Sequence, residues 1–166
     1  MTGAGVLLAF VTLERLMELL WARRNTIALI RAGAREFAPQ HYPAIVILHA
    51  MWLTGLWWFA FDRAVTPAWV GAFALLQTGR LWVLLTLGRR WTTRIIVLPG
   101  ETPLTGGPFR FMRHPNYAVV IGEMAILPLC FNMPIYAILF SIANAAVLHI
   151  RISAENAAWG QRSDAS

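Results

Sequence analysis

The chain alternates long apolar stretches with short connections that carry most of its arginines. Crossing a hydrocarbon core of about 30 Å takes roughly 20 helical residues, and three stretches approach that length: Gly3 to Trp21, Pro43 to Phe61 and Pro67 to Gly88. Two shorter ones follow, Tyr117 to Phe131 and Pro134 to Ile150, joined by the tight turn Asn132-Met133-Pro134. This pair reads as a helical hairpin near the lower length limit for crossing. The pattern predicts an all-α fold, an integral membrane bundle of about five transmembrane helices ending in that hairpin. The β-branched run Arg94-Ile95-Ile96-Val97-Leu98 is too short to span and reads as extended chain at the membrane interface. Irregular backbone at that depth is tolerable only against protein or a water-filled cavity, so a pocket is expected beside it. The chain reads as one domain, with a three-span part over 1–92, a loop and hairpin over 93–157 and a frayed tail over 158–166.

Charge placement supports five spans. All 14 basic residues are arginine and the net charge is +6. Arg23, Arg24, Arg31 and Arg35 follow the first span, Arg89, Arg90, Arg94, Arg110 and Arg113 the third, and Arg151 and Arg162 the fifth; the opposite side has Arg63. Basic loops stay in the cytoplasm, so the amino terminus is expected outside and the carboxyl terminus inside, in a bacterial cell membrane. The first apolar stretch has no preceding positive region and reads as a retained span, not a cleaved signal. Arginines set beside apolar spans point to lipid headgroups as partners and away from nucleic acid. Cys130 stands alone in an apolar run, which excludes an internal disulfide and argues against a metal site.

Inside the first span, Glu14, Arg15 and Glu18 lie where a charge costs about 2.5–3.5 kcal/mol, so they must face protein. Arg15 and Glu18 are spaced to pair along the helix, leaving Glu14 for Arg80 or Gln77 on the third span.

The densest chemistry lies in Gly106 to Tyr117, GGPFRFMRHPNY. Two glycines and Pro108 break any helix, Phe109 and Phe111 can insert into the interface, and Arg110 and Arg113 can hold anions. Pro115 confines His114 to extended backbone and starts the next helix at Asn116 or Tyr117. A helix start attracts carboxylate or phosphate; anchoring to lipid headgroups is the plainer role for such a loop. Asn144, Leu148, Arg151 and Glu155 share one face of the last helix. If the hairpin is antiparallel, Arg151 and Glu155 end level with His114 to Tyr117. Glu123, seven residues after Asn116, points into the bundle.

GPFRFMRHPNY, then a span, a short turn, a second span and RISAE (Arg151 to Glu155), resembles the isoprenylcysteine carboxyl methyltransferase family of membrane methyltransferases. That family's pattern is a Gly-x-Tyr, an Arg-His-Pro-x-Tyr, a helical hairpin and an Arg-x-x-x-Glu-Glu. ERLMELLWARRN (Glu14 to Asn25) and LGRRWTTRIIVLPG (Leu87 to Gly100) look more like its bacterial branch, whose members O-methylate alkylpyrones or phenolic lipids and are often found beside polyketide synthases. The resemblance implies a cytoplasmic loop that binds S-adenosylmethionine together with the last two helices. By position, Thr102, Pro103, Leu104, Phe109, His114, Pro115, Asn116, Tyr117 and Glu155 would contact the donor, with Glu155 near its ammonium group. Arg151 would act catalytically by holding the acceptor's anionic oxygen, and Glu123 joins it as a substrate-side candidate. Two positions depart from the pattern: Phe109 stands for the usual tyrosine and Asn156 for the second glutamate.

Methyl transfer from a sulfonium to an anionic oxygen neutralises both charges, so a dry pocket does not oppose it. A protonated phenol would need a base, for which His114, His149 and Glu123 are candidates. There is no Gly-x-Gly-x-x-Gly fingerprint, which sets aside a Rossmann-type donor site. The sequence thus points to an O-methyltransferase acting on a lipophilic acceptor that arrives from the bilayer. Its rivals are a prenylcysteine carboxyl methyltransferase proper, a phospholipid N-methyltransferase, a nicotinamide-dependent reductase and a non-catalytic lipid-binding membrane subunit.

Overall fold

The computed structural model describes residues 2–102 and 104–163, side chains of residues 41 and 156–163 excepted. Five α-helices form the bundle: α1 (Gly3–Arg31), α2 (Tyr42–Ala60), α3 (Pro67–Leu87), α4 (Pro115–Cys130) and α5 (Pro134–Ser163). Three helices among the described residues are long and apolar enough to cross a membrane, Tyr42–Ala60, Pro67–Arg90 and Pro134–Glu155. α1 has the length but carries charges at its centre, and α4 is apolar but has only 16 residues, about 24 Å of helix. The outward faces are covered in large apolar side chains, among them Trp58, Leu75, Ile135 and Ile142. Such an exterior suits hydrocarbon and not water; the chain is an integral membrane protein.

At one end, Leu8 and Val11 of α1 meet Trp52 and Leu56 of α2, Phe73 of α3, and Met124, Leu127 and Phe131 at the end of α4. α4 packs most extensively on α3, and Gly122 makes this possible: a Cβ there would lie 2.8 Å from a Leu76 methyl. Asn132 turns the chain with φ 55, a conformation asparagine tolerates better than most residues, and Thr66 of the α2–α3 connection donates through its amide to the Cys130 carbonyl at 2.9 Å. α4 and α5 thereby form the expected antiparallel hairpin.

Midway along the bundle, four charged side chains close a network across α1, α3 and α4. Arg80 binds the Glu18 carboxylate through Nε and Nη2 and donates through Nη1 to Glu123 Oε2 at 3.0 Å. Arg15 reaches Glu18 at 3.0 Å and Glu123 Oε1 at 2.8 Å, and Gln77 adds a hydrogen bond to the same Oε1 at 2.9 Å. Two guanidinium groups and two carboxylates cancel. The expected partner of Arg80 and Gln77, Glu14, is not the one found. Glu18 and Glu123 occupy these donors, and among the described residues Glu14 is paired with Arg15 alone, at 3.8 Å.

α1 outruns the predicted span by about a third of its length, and the extra turns hold the site end of the molecule. Buried Asn25 donates to the carbonyls of Gly88 at 3.0 Å and Trp91 at 2.9 Å. It thereby caps the end of α3 and sets the direction of the chain beyond it. Residues Ile95–Val97 are extended as expected and form strand β2, whose partner β1, Arg35–Phe37, the sequence did not reveal. The pair is antiparallel, with Arg35 opposite Val97 and Phe37 opposite Ile95. Ile95 and Val97 face inward against Ala154 of α5.

Candidate functional site

A cavity of about 810 Å³ lies where β2, residues 101, 102, 104 and 105, the His114-Pro115 turn and the stretch of α5 that carries Arg151 and Glu155 meet. Its walls include Thr102, Leu104, Phe109, His114, Pro115, Asn116, Tyr117, Arg151 and Glu155. Pro103 lies outside the described residues.

The turn is built as proline chemistry dictates. His114 is kept out of the helical region before proline, but at φ −128, ψ 63 it falls short of the extended backbone expected, and Pro115 itself opens α4, one residue before the expected start at Asn116. Upstream, Gly107 has φ 58 and sits where a Cβ would be 2.6 Å from Thr86 Oγ1, so the loop can press on α3 only with glycine there. The 3-10 turn Gly107–Arg110 then turns Phe109 into the cavity and leaves Phe111 exposed, edge-on to Trp82. Of the two phenylalanines expected at the interface, Phe111 is exposed and Phe109 is half-buried.

From α4, the Tyr117 ring stacks on His114 with centroids 5.2 Å apart. The Tyr117 hydroxyl donates to Glu155 Oε2 and accepts from Arg151 Nε at 2.8 Å. His114 Nδ1 stands 3.9 Å from the same Glu155 oxygen. Arg151 donates through Nη1 to the Thr93 carbonyl at 2.8 Å, and Thr93 Oγ1 is hydrogen-bonded to the Tyr42 hydroxyl at 3.0 Å. Arg94 lies 4.7 Å over the Tyr42 ring and donates through Nη1 to both carboxylate oxygens of Glu36 of β1 at 2.9 and 3.1 Å. Arg151 is therefore fixed by α4 on one side and by β1, α2 and residue 93 on the other. Asn116 presents a buried Oδ1 with no partner among the described residues.

The fold thus gathers His114, Asn116, Tyr117, Arg151 and Glu155 on one cavity and leaves Glu123 out. Both Glu123 oxygens are taken by Arg15, Gln77 and Arg80 inside the bundle, which corrects its assignment to the substrate side and as a base. His149 is exposed and does not line the cavity. Tyr42, Thr93 and Arg90, which the sequence did not single out, belong to the site end. Nothing in the sequence tied Arg90 to Glu101 across the intervening strand, or Tyr42 to residue 93.

The fold and site define an apolar helical bundle whose hairpin brings an Arg, a Glu, a Tyr and a His-Pro turn to the wall of one cavity. Residues 69–161 match the isoprenylcysteine carboxyl methyltransferase (ICMT) family, and the chain belongs to that family of membrane methyltransferases. It is also 37% identical over 158 residues to YpbQ, an uncharacterized protein of Bacillus subtilis (strain 168), covering 92% of this chain and 94% of that one. No solved structure matches.

Proposed function

We propose that this cavity binds S-adenosylmethionine and that the protein methylates an oxygen of a lipophilic acceptor: a carboxylate, a hydroxypyrone or a phenol. The observation that carries this reading is the meeting of Tyr117, Arg151 and Glu155 on one side of a cavity of about 810 Å³, a size within the range of small-molecule sites. The walls suit the donor. Glu155 offers a carboxylate to an ammonium group, and Asn116 Oδ1 wants a hydroxyl or amine hydrogen of the kind a nucleoside supplies. The start of α4 is a ready place for a carboxylate.

When bound, the donor supplies an electrophilic methyl: its S–CH₃ bond breaks as the O–CH₃ bond forms, leaving a neutral thioether and a neutral ester or ether. The chain's own part is to orient and to exclude water. Among the described residues, Arg151 Nη2 makes no hydrogen bond and can hold the acceptor's anionic oxygen. Tyr117 keeps the charged Arg151 and Glu155 at fixed separation. For an acceptor that arrives protonated, His114 is the candidate base that lines the cavity. Phe109 occupies its place in the wall with a bare ring and offers the donor no hydroxyl. We place the cavity on the cytoplasmic side, where the arginine-rich connections belong.

Incubating membranes that contain the protein with labelled S-adenosylmethionine and host lipid extract, followed by mass analysis, tests this. A labelled O-methyl lipid is the expected product. Label on a prenylcysteine carboxylate would make the protein a carboxyl methyltransferase of that kind, and absence of donor binding to purified protein would leave a non-catalytic lipid-binding subunit.

A further inference from the structure

The walls of the cavity differ in how they are held. His114 to Tyr117, Arg151 and Glu155 stand on helices and on each other. The facing residues 101, 102, 104 and 105 have no regular secondary structure and lie between Gly100 at φ 81 and Gly107 at φ 58. Glu101, Thr102, Leu104 and Thr105 nonetheless line the cavity.

Among the described residues, the hydrogen bonds that tie this segment to anything beyond its own turn come from one side chain. Arg90 Nε is paired with the Glu101 carboxylate, and Arg90 Nη1 donates to the Thr102 carbonyl at 3.0 Å. Two adjacent residues held by one planar guanidinium fix both the distance and the tilt of the segment, which a single contact to a lysine would not. The base is rigid as well: Arg90 ends the 3-10 turn Gly88–Arg90, whose Gly88 carbonyl is held by Asn25.

We propose that Arg90 is a positioning residue for the methyl donor. It holds Glu101 and Thr102, and through them the wall of the donor half of the cavity, while Arg151 serves the acceptor from the other wall. This inference rests on the methyltransferase reading and adds a split that the reading does not contain. Loosening the segment weakens donor capture, whereas Arg151, Tyr117 and Glu155, which Arg90 does not touch, keep their geometry once the donor is saturating.

The test uses the full chain in lipid nanodiscs, with S-adenosylmethionine binding measured by calorimetry and turnover measured at varied donor and acceptor. Arg90→Ala should weaken donor Kd about tenfold, the scale of one lost charge-assisted contact, with kcat at saturating donor within about twofold and acceptor KM unchanged. Arg90→Lys should recover part of the affinity, and Glu101→Gln should lose about threefold. The exchange Arg90→Glu with Glu101→Arg should bind better than Arg90→Ala. Unchanged donor Kd in Arg90→Ala and Glu101→Gln would overturn the proposal. So would a fall of kcat and thermal midpoint and a rise of acceptor KM together with the loss of donor affinity, the signature of general scaffolding. If Arg90→Ala does not fold, Arg90→Lys and Glu101→Gln decide by the same criteria. A wild type that binds no donor overturns the methyltransferase reading itself; a wild type that binds, with variants alike, overturns only the role of Arg90.

Discussion

Arg151 and Glu155, one helical turn apart on α5, are joined through a third side chain: the Tyr117 hydroxyl accepts from Arg151 Nε at 2.8 Å and donates to Glu155 Oε2. The groups assigned to acceptor and donor are thus coupled through one oxygen on the neighbouring helix. Tyr117→Phe keeps the ring stacked on His114 and removes that oxygen. The loss of two partly buried hydrogen bonds to charged groups, about 3 kcal/mol in all, should appear as roughly a hundredfold fall in kcat/KM with the fold intact. Wild-type kinetics in Tyr117→Phe would show that Arg151 and Glu155 need no bridge.

The two charged members should separate in their effects. Glu155→Ala is expected to reduce donor affinity by about a hundredfold, the scale of a lost contact to a charged group. Arg151→Ala should change donor affinity only a few-fold and lower turnover by about 10²-fold or more. Equal donor affinity in Glu155→Ala and wild type would remove Glu155 from the donor site.

Much of this arrangement was legible in the chain. Four- and seven-residue spacings put Arg151 and Glu155 on one face, and the proline after His114 fixed where α4 begins. The same periodicity turned Glu123 inward correctly but gave no depth relative to α3, and Gln77, Arg80 and Arg15 claimed it. A one-turn offset likewise decided that Arg80 meets Glu18 and not Glu14. β1 and β2 are three residues each and about 60 positions apart in sequence, too short to show a period and too distant to suggest a turn. Asn25 and Thr93 act through backbone carbonyls, which leave no trace in side-chain pattern.

The mid-bundle network makes a stability prediction. Arg80→Ala strands Glu18 and Glu123, both under 10% exposed, without their main partner, and breaking such a pair costs about 3–5 kcal/mol. The expected outcome is loss of folded protein, read as a collapse of the thermal midpoint in detergent. Glu14→Gln, which disturbs no short contact, should shift stability by less than about 1 kcal/mol. Similar midpoints for the two variants would mean that the network contributes little.

Gly107 should resist substitution on two counts. Gly107→Ala meets both the positive φ, worth about 1–2 kcal/mol, and the Thr86 side chain. Adding Thr86→Ala should restore part of the lost donor affinity but not all of it, since the backbone cost stays. Full recovery in the double variant would assign the whole effect to crowding.

Topology can be read with fusions. Reporters placed after Ser166 and within the α1–α2 connection should both be cytoplasmic, and one in the short link between α2 and α3 should be external. An external reading after Ser166 would overturn the five-span orientation.

The ribbon of Arg35–Phe37 on Ile95–Val97 draws a stretch from before residue 69, where the family match begins, into the scaffold behind Arg151. A trimmed protein made of residues 69–161 alone would leave Ile95–Val97 with a bare edge, Trp91 without its clasp and Arg94 without a counter-ion. Shortening this enzyme to its most recognisable portion should therefore yield a chain that keeps the signature residues and cannot hold them still.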